Sequence, residues 1–241
     1  MRLDGIALRY SLRDPWVLRG VTLDVPMGRL IRAQGGNGGG KSTLLRLVAG
    51  VCAPTRGSVL DRPARRVYVP ERFPAALPFT AQDYLCHLGR IHGLRGAEPA
   101  RRAGLLLERF GAAEFARTPL AELSKGTCQK VAVAQALLGE PELLVLDEAW
   151  TGLDQDARAE LDAAVDEHLG QGSTVLFVDH DPARLDTRPT LRWQVGNGTV
   201  TATDQATPPS VLRITLTADA SVLAELREDT RVRIERTEAV R

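Results

Sequence analysis

Aromatic side chains make up only 5% of the 241 residues, and there are three cysteines. So thin an aromatic supply argues against a platform that stacks single-stranded nucleic acid. Cys52, Cys86 and Cys128 are odd in number and far apart. They fit neither a zinc spacing nor a disulfide framework, so a reducing, cytoplasmic setting is expected. A dominant charge is also missing: 31 basic residues nearly cancel 30 acidic ones, leaving a net charge of +1. No strong whole-chain field for nucleic acid or anionic lipid is expected, and no nucleic-acid partner. No run approaches the roughly 18–20 consecutive apolar residues that cross a bilayer. Residues 1–10 alternate charged and apolar positions and show no signal-peptide core. Lysine is rare among the basic residues, occurring only as Lys41, Lys125 and Lys130.

What remains is ordinary globular material, 44% apolar and 25% charged. Alternating stretches at 3–10 and 17–25 read as strands, and Leu30 to Ala33 reads as a short apolar strand. That strand runs into the glycine-rich Gly35–Ser42 and then into a helical pattern with Leu44, Leu45, Leu47 and Val48. Prolines make 72–82 loop-like, and 81–117 is helical, broken into at least two helices by Gly93, Gly96 and Pro99. Another helix is expected over Lys125–Leu138 and an amphipathic one over Gln155–Leu169. Leu143–Leu146 and Thr174–Val178 are apolar throughout, as in a parallel sheet buried on both faces. Gly196-Asn197-Gly198 separates two strands as a hairpin turn, and 205–210 reads as a linker to a small appendix, 205–241. Strands alternating with helices predict an α/β fold with a parallel core.

Two motifs carry chemistry. Gly35-Gly36-Asn37-Gly38-Gly39-Gly40-Lys41-Ser42 fits G-x-x-x-x-G-K-[ST]. Glycines let successive backbone N–H groups turn toward phosphate oxygens, and the following helix start adds positive potential. Lys41 supplies a point charge for the terminal phosphates, Ser42 a hydroxyl for Mg²⁺, and Thr43 a hydroxyl for the α-phosphate. In the second motif, Leu143–Leu146 delivers Asp147-Glu148 to the carboxyl edge of the sheet. Asp147 is placed to hold Mg²⁺ through water, and Glu148 to act as general base on an attacking water.

These pieces resemble a P-loop NTPase, and further residues narrow the family. Leu123-Ser124-Lys125-Gly126-Thr127 opens a helix about 24 residues before Asp147. Thr151-Gly152-Leu153-Asp154 follows the acid pair, and His180 follows the strand TVLFVD. Over about residues 3–200 the chain resembles the ATP-binding subunit of an ATP-binding cassette (ABC) transporter.

The resemblance implies a P-loop NTPase core with mixed sheet, an antiparallel β subdomain and a helical insertion near 72–135, all within 1–204. It implies ATP and Mg²⁺ as ligands. Tyr10, 31 residues ahead of Lys41, matches the aromatic that stacks on adenine, with Trp16 as a rival. Gly35, Asn37, Gly38, Gly39, Gly40, Lys41, Ser42 and Thr43 match the phosphate loop. Ser124 and Gly126 match the signature that meets the γ-phosphate held by a second cassette. Asp154 matches the loop that communicates across that dimer, and His180 the switch histidine. The catalytic set is thus Glu148, His180 and Lys41, and the metal set Ser42, Asp147 and Glu71. Glu71 stands where the family has a glutamine; Gln82 is a poor substitute. Lys125 and Thr127 also depart from the family's LSGGQ signature. The LSKG form points toward exporter-type subunits. The implied partners are a second cassette and a separate membrane permease, which would hold this chain peripherally on the inner membrane face. Alternatives left open are a soluble non-transport ABC ATPase and a regulatory cassette that binds ATP without turning it over.

Overall fold

The strands form two sheets, one of three strands and one of six. The computed structural model describes residues 1–186, 188 and 190–204. In chain order the first elements are β1 (Arg2–Leu8), β2 (Leu18–Asp24), β3 (Leu30–Gln34), α1 (Lys41–Ala49), β4 (Arg56–Leu60) and β5 (Arg66–Val69). Helices α2 (Ala81–Ile91), α3 (Glu98–Arg109) and α4 (Lys125–Leu137) follow. The chain then runs through β6 (Leu143–Asp147), α5 (Gln155–Gly170), β7 (Thr174–Val178), β8 (Thr190–Gly196) and β9 (Thr199–Asp204). These residues belong to one compact unit, Met1–Gln205. The expected appendix lies outside the described residues.

The larger sheet has the order β5-β6-β7-β3-β8-β9. All its neighbours pair in parallel except β8 and β9, which form an antiparallel hairpin at one edge. The hairpin turns through Asn197 and Gly198, both at positive φ, as a two-residue turn between right-twisting strands requires. Period-two alternation sorts the buried strands onto two cores. Leu143 and Val145 of β6 join Ile31, Leu176 and α1 on one face. Leu144 and Leu146 join Val175, Phe177, α4 and α5 on the other. Each such side chain contributes about 1.5–3 kcal/mol by leaving water.

The smaller sheet is antiparallel, ordered β2-β1-β4. Strand β4 carried no sequence signal, because most of its residues are exposed; pairing with β1 makes it a strand. The helical insertion begins where Thr80 caps α2 by accepting from the Asp83 amide. Pro99 lies in the first turn of α3, where its missing N–H has no intrahelical partner to lose. The strand expected to be apolar, Leu30 to Ala33, is buried but not wholly apolar. Arg32 lies inside it at 7% exposure, and its guanidinium is satisfied by backbone carbonyls from another loop.

Candidate functional site

Three strand ends, those of β3, β6 and β7, deliver the charged residues to one edge of the parallel sheet. Beyond β3 the glycine-rich loop closes on itself, with the Gly39 amide donating to the Gly36 carbonyl at 3.1 Å. Gly40 caps α1 in the left-handed region, with no side chain over the helix start and no acid in its first turn. The first-turn N–H groups therefore meet an incoming anion unopposed. Lys41 Nζ donates to the carbonyls of Gly35 at 2.9 Å and Gly36 at 3.0 Å. Asn37 and Gly38 form the exposed turn of this loop. Gly35 cannot be another residue: its φ is +151°, and a Cβ there would stand 2.0 Å from the Val195 carbonyl oxygen.

Asp147 ends β6 almost fully buried, at 1% exposure. Both its oxygens are engaged: Ser42 Oγ donates to Oδ1 at 3.1 Å, and the Tyr68 hydroxyl donates to Oδ2 at 2.8 Å. Arg46 Nε in turn donates to the Tyr68 hydroxyl at 3.3 Å. Burial, reinforced by the Asp147 carboxylate, pushes the Tyr68 phenol up, so it remains a donor. A hydroxyl and an oriented carboxylate in mutual contact form a hard oxygen donor set that fits Mg²⁺.

Glu148 is the next residue and has φ +55°, a left-handed conformation that costs a non-glycine residue about 1–3 kcal/mol. The turn aims its side chain at His180, with Oε1 2.7 Å from Nε2. Glu148 is largely covered, whereas His180 is mostly exposed. Burial pushes the Glu148 carboxyl up; His180 opposes this, and the charges of Glu71, Asp147 and Asp179 add to it. Glu71 is exposed just beyond β5, and its charge is felt at Glu148. A cavity of about 250 Å³ opens beside the site, lined by Gly35, Lys41, Asp179, His180 and Arg192 among others.

Tyr10 lies beyond the end of β1, 60% exposed. Its hydroxyl and Thr43 Oγ1 are 2.8 Å apart. Trp16 is engaged by guanidinium groups, with Arg9 4.6 Å and Arg56 5.4 Å from its ring centre.

The signature residues form a second centre. Ser124 caps α4, accepting from the Thr127 amide at 3.1 Å, as its position before the helix predicts. Lys125 stands exposed at the helix start. A Cβ on Gly126 would come within 2.8 Å of the Gly152 carbonyl oxygen, so this glycine lets two loops approach. Asp154 caps α5 and pairs with Lys130 Nζ at 2.7 Å. That lysine, then the Ala157 amide, holds the Asp154 carboxyl below its ordinary range. Cys128 is buried, with its thiol pushed up by that burial, and carries no reactive signature.

Sequence reading missed Tyr68, Arg46 and Arg32. A tyrosine hydroxyl on a strand and a charge within a buried strand were the available signals.

The segment 18–151 matches the family model described as ABC transporter. The zinc import ATP-binding protein ZnuC of Cereibacter sphaeroides is 40% identical over 173 residues, spanning 68% of this chain and 67% of that protein. ZnuC of Yersinia enterocolitica is 37% identical over 185 residues, 74% of this chain and 69% of the relative. The aliphatic sulfonates import ATP-binding protein SsuB 1 of Mesorhizobium japonicum is 36% identical over 189 residues, 76% and 70%. Among solved structures, an ATP-binding subunit of an ABC transporter superposes with TM-score 0.75 at 28% identity, covering 84% of this chain and 89% of that one. A dimeric ATP-binding cassette in a post-hydrolysis state, bound to ADP and phosphate, gives TM-score 0.70 at 25% identity, covering 84% and 97%. The exporter-type expectation from the LSKG form finds no support here, since all three relatives are named for import.

Proposed function

The chain belongs to the ABC transporter family as an ATP-binding, ATP-hydrolysing subunit that works with a second cassette and a membrane permease, and from that premise we propose that it powers import. The reading rests on the relatives' shared direction. Their cargoes differ, zinc in two and sulfonates in one, so the three names agree on direction and not on cargo. Among the described residues no helix is long and apolar enough to cross a membrane. The chain sits peripherally, against its permease.

Within the site, Tyr10 receives adenine, since Trp16 is already covered by Arg9 and Arg56. The amides of Gly35, Asn37, Gly38, Gly39 and Gly40 surround the phosphates, and Thr43 takes the α-phosphate. Lys41 leaves the Gly35 and Gly36 carbonyls for the β- and γ-phosphates. Ser42 and Asp147 would hold Mg²⁺, with Glu71 adding charge at longer range, and the ion would supply positive charge to the phosphates. Glu148 accepts the proton of the attacking water, and His180 orients that carboxylate and touches the γ-phosphate. Ser124 and Gly126 close over the γ-phosphate of a second copy, and Asp154 links the two sites. The site is thus composite, and hydrolysis releases the pair.

Glu71→Gln should raise the half-saturating Mg²⁺ concentration by roughly twofold to fivefold, the effect of one exposed carboxylate, without abolishing turnover. An unchanged Mg²⁺ titration, read by Mn²⁺ displacement as well as by activity, would show the position to be inert.

Import is tested in two steps. Tagged Glu148→Gln protein with Mg-ATP is used to retrieve its partner from detergent-solubilised native membranes, and a protein with several transmembrane helices is expected. The complex is then reconstituted with the cassette facing outward. ATP should empty preloaded vesicles, with zinc as the first probe and an alkanesulfonate as the second. ATP-driven filling of the lumen would contradict import.

A further inference from the structure

Arg32 occupies the middle of β3, three residues before the phosphate loop begins. Its Nη1 donates to the carbonyls of Pro182 at 2.8 Å and Arg184 at 3.3 Å. Its Nη2 donates to those of Asp181 at 2.6 Å and Asp179 at 3.3 Å. All four acceptors belong to the loop after β7, the loop that carries His180. The guanidinium also lies 5.5 Å from the Phe177 ring centre. Burial pushes its pKa down, and Asp179 is the leading charge that opposes this. Arg184 ties the same loop outward to Asp162 at 3.0 Å, and Arg192 of β8 pairs with Asp186.

We propose that Arg32 is a positioning residue for hydrolysis: it locks the His180 loop onto the strand that carries the phosphate loop, and so holds His180 against Glu148. The proposal rests on the reading of Glu148 and His180 as the hydrolytic pair. The physical case is one of donors and acceptors. A single planar group with fixed N–H directions gathers four carbonyls that all face one point, and no apolar side chain could satisfy them. The loop bearing His180 is otherwise exposed at His180 and Asp181. Arg32 ties its backbone to β3, the strand that runs into the phosphate loop. A shift of about 1 Å in a catalytic group can cost up to about 100-fold in rate.

The chain has four histidines, so imidazole signals of ¹⁵N-histidine-labelled protein report His180 against three internal references. His168 is buried and bonded to the Ala164 carbonyl, making it the reference for global fold. Arg32→Met should displace or broaden the His180 signals while leaving those of His87, His92 and His168 in place. Turnover should fall at least tenfold, with ATP affinity in the Glu148→Gln background held within about twofold, because a misplaced group affects the chemical step. Arg32→Lys keeps the charge with fewer fixed donors, and should show a smaller His180 displacement and partial recovery of turnover. If the methionine variant does not fold, the lysine variant decides the matter. In whichever variant keeps the His168 signal in place, unmoved His180 signals would overturn the proposal. Full turnover in His180→Ala would instead sink the role of His180 and leave the spectroscopic result on Arg32 standing.

Discussion

Replacing Glu148 by glutamine is expected to lower phosphate release by at least about 100-fold, within the range of a lost general base. The amide has the same shape, so it can still lie against His180, 2.7 Å away in the native protein. It cannot accept a proton. The strained backbone at residue 148, with φ +55°, is set by the chain around it, including the Glu148 amide bond to the Val178 carbonyl at 3.0 Å. Nothing in that framework depends on the charge. ATP binding should therefore survive, since Lys41, Ser42 and the loop amides are untouched. Measuring phosphate release beside fluorescent-nucleotide binding separates the two effects. Near-native turnover would remove Glu148 from the chemistry, and lost binding would assign it a structural role instead.

Gly35→Ala is the second large effect. The added methyl would lie 2.0 Å from the Val195 carbonyl oxygen and 3.1 Å from its carbon. Both are backbone atoms of β8, which pairs in parallel with β3 from Leu30 to Gln34. No side chain can swing aside to make room. Either the phosphate loop lifts away from β8, or the sheet opens at its central strand. Overpacking costs about 1–3 kcal/mol, and a forced positive φ adds a similar amount. With each kcal/mol worth about 2–4 °C in a domain of this size, Tm should fall on the order of 10 °C. ATP affinity should drop even where the protein still folds, because the loop amides move with Gly35. Gly38→Ala is the control: it also has positive φ, but no atom lies within 4 Å of its added Cβ. Equal losses in both variants would show that the close approach to β8 is unimportant.

Much of the fold was legible because the buried strands are short apolar runs and the glycine loop lies between a strand and a helix. Asp147-Glu148 at a strand end placed itself on the ligand edge. Arg32 and Tyr68 were illegible for a shared reason. Their partners are distant in the chain, the 179–184 carbonyls for one and Asp147 for the other. Strand β4 was missed because its faces are mostly wet, so no period appears in its sequence. Asp154 shows the reverse problem. The motif marks it as a link across a dimer, while within one chain it is an N-cap paired with Lys130.

The composite site is the centre of the account, and mixing two inactive variants tests it most directly. Lys41→Ala removes the phosphate-loop charge, and Gly126→Asp places a carboxylate and a clashing Cβ at the signature. Each homodimer should be inactive. Random pairing of the two gives heterodimers in which one site has an intact Lys41 facing an intact signature. Phosphate release in the equimolar mixture should then recover to about a quarter of the native rate, as two-fold pairing with one working site in half the dimers requires. A mixture no more active than its separate components would show that hydrolysis is completed within a single chain.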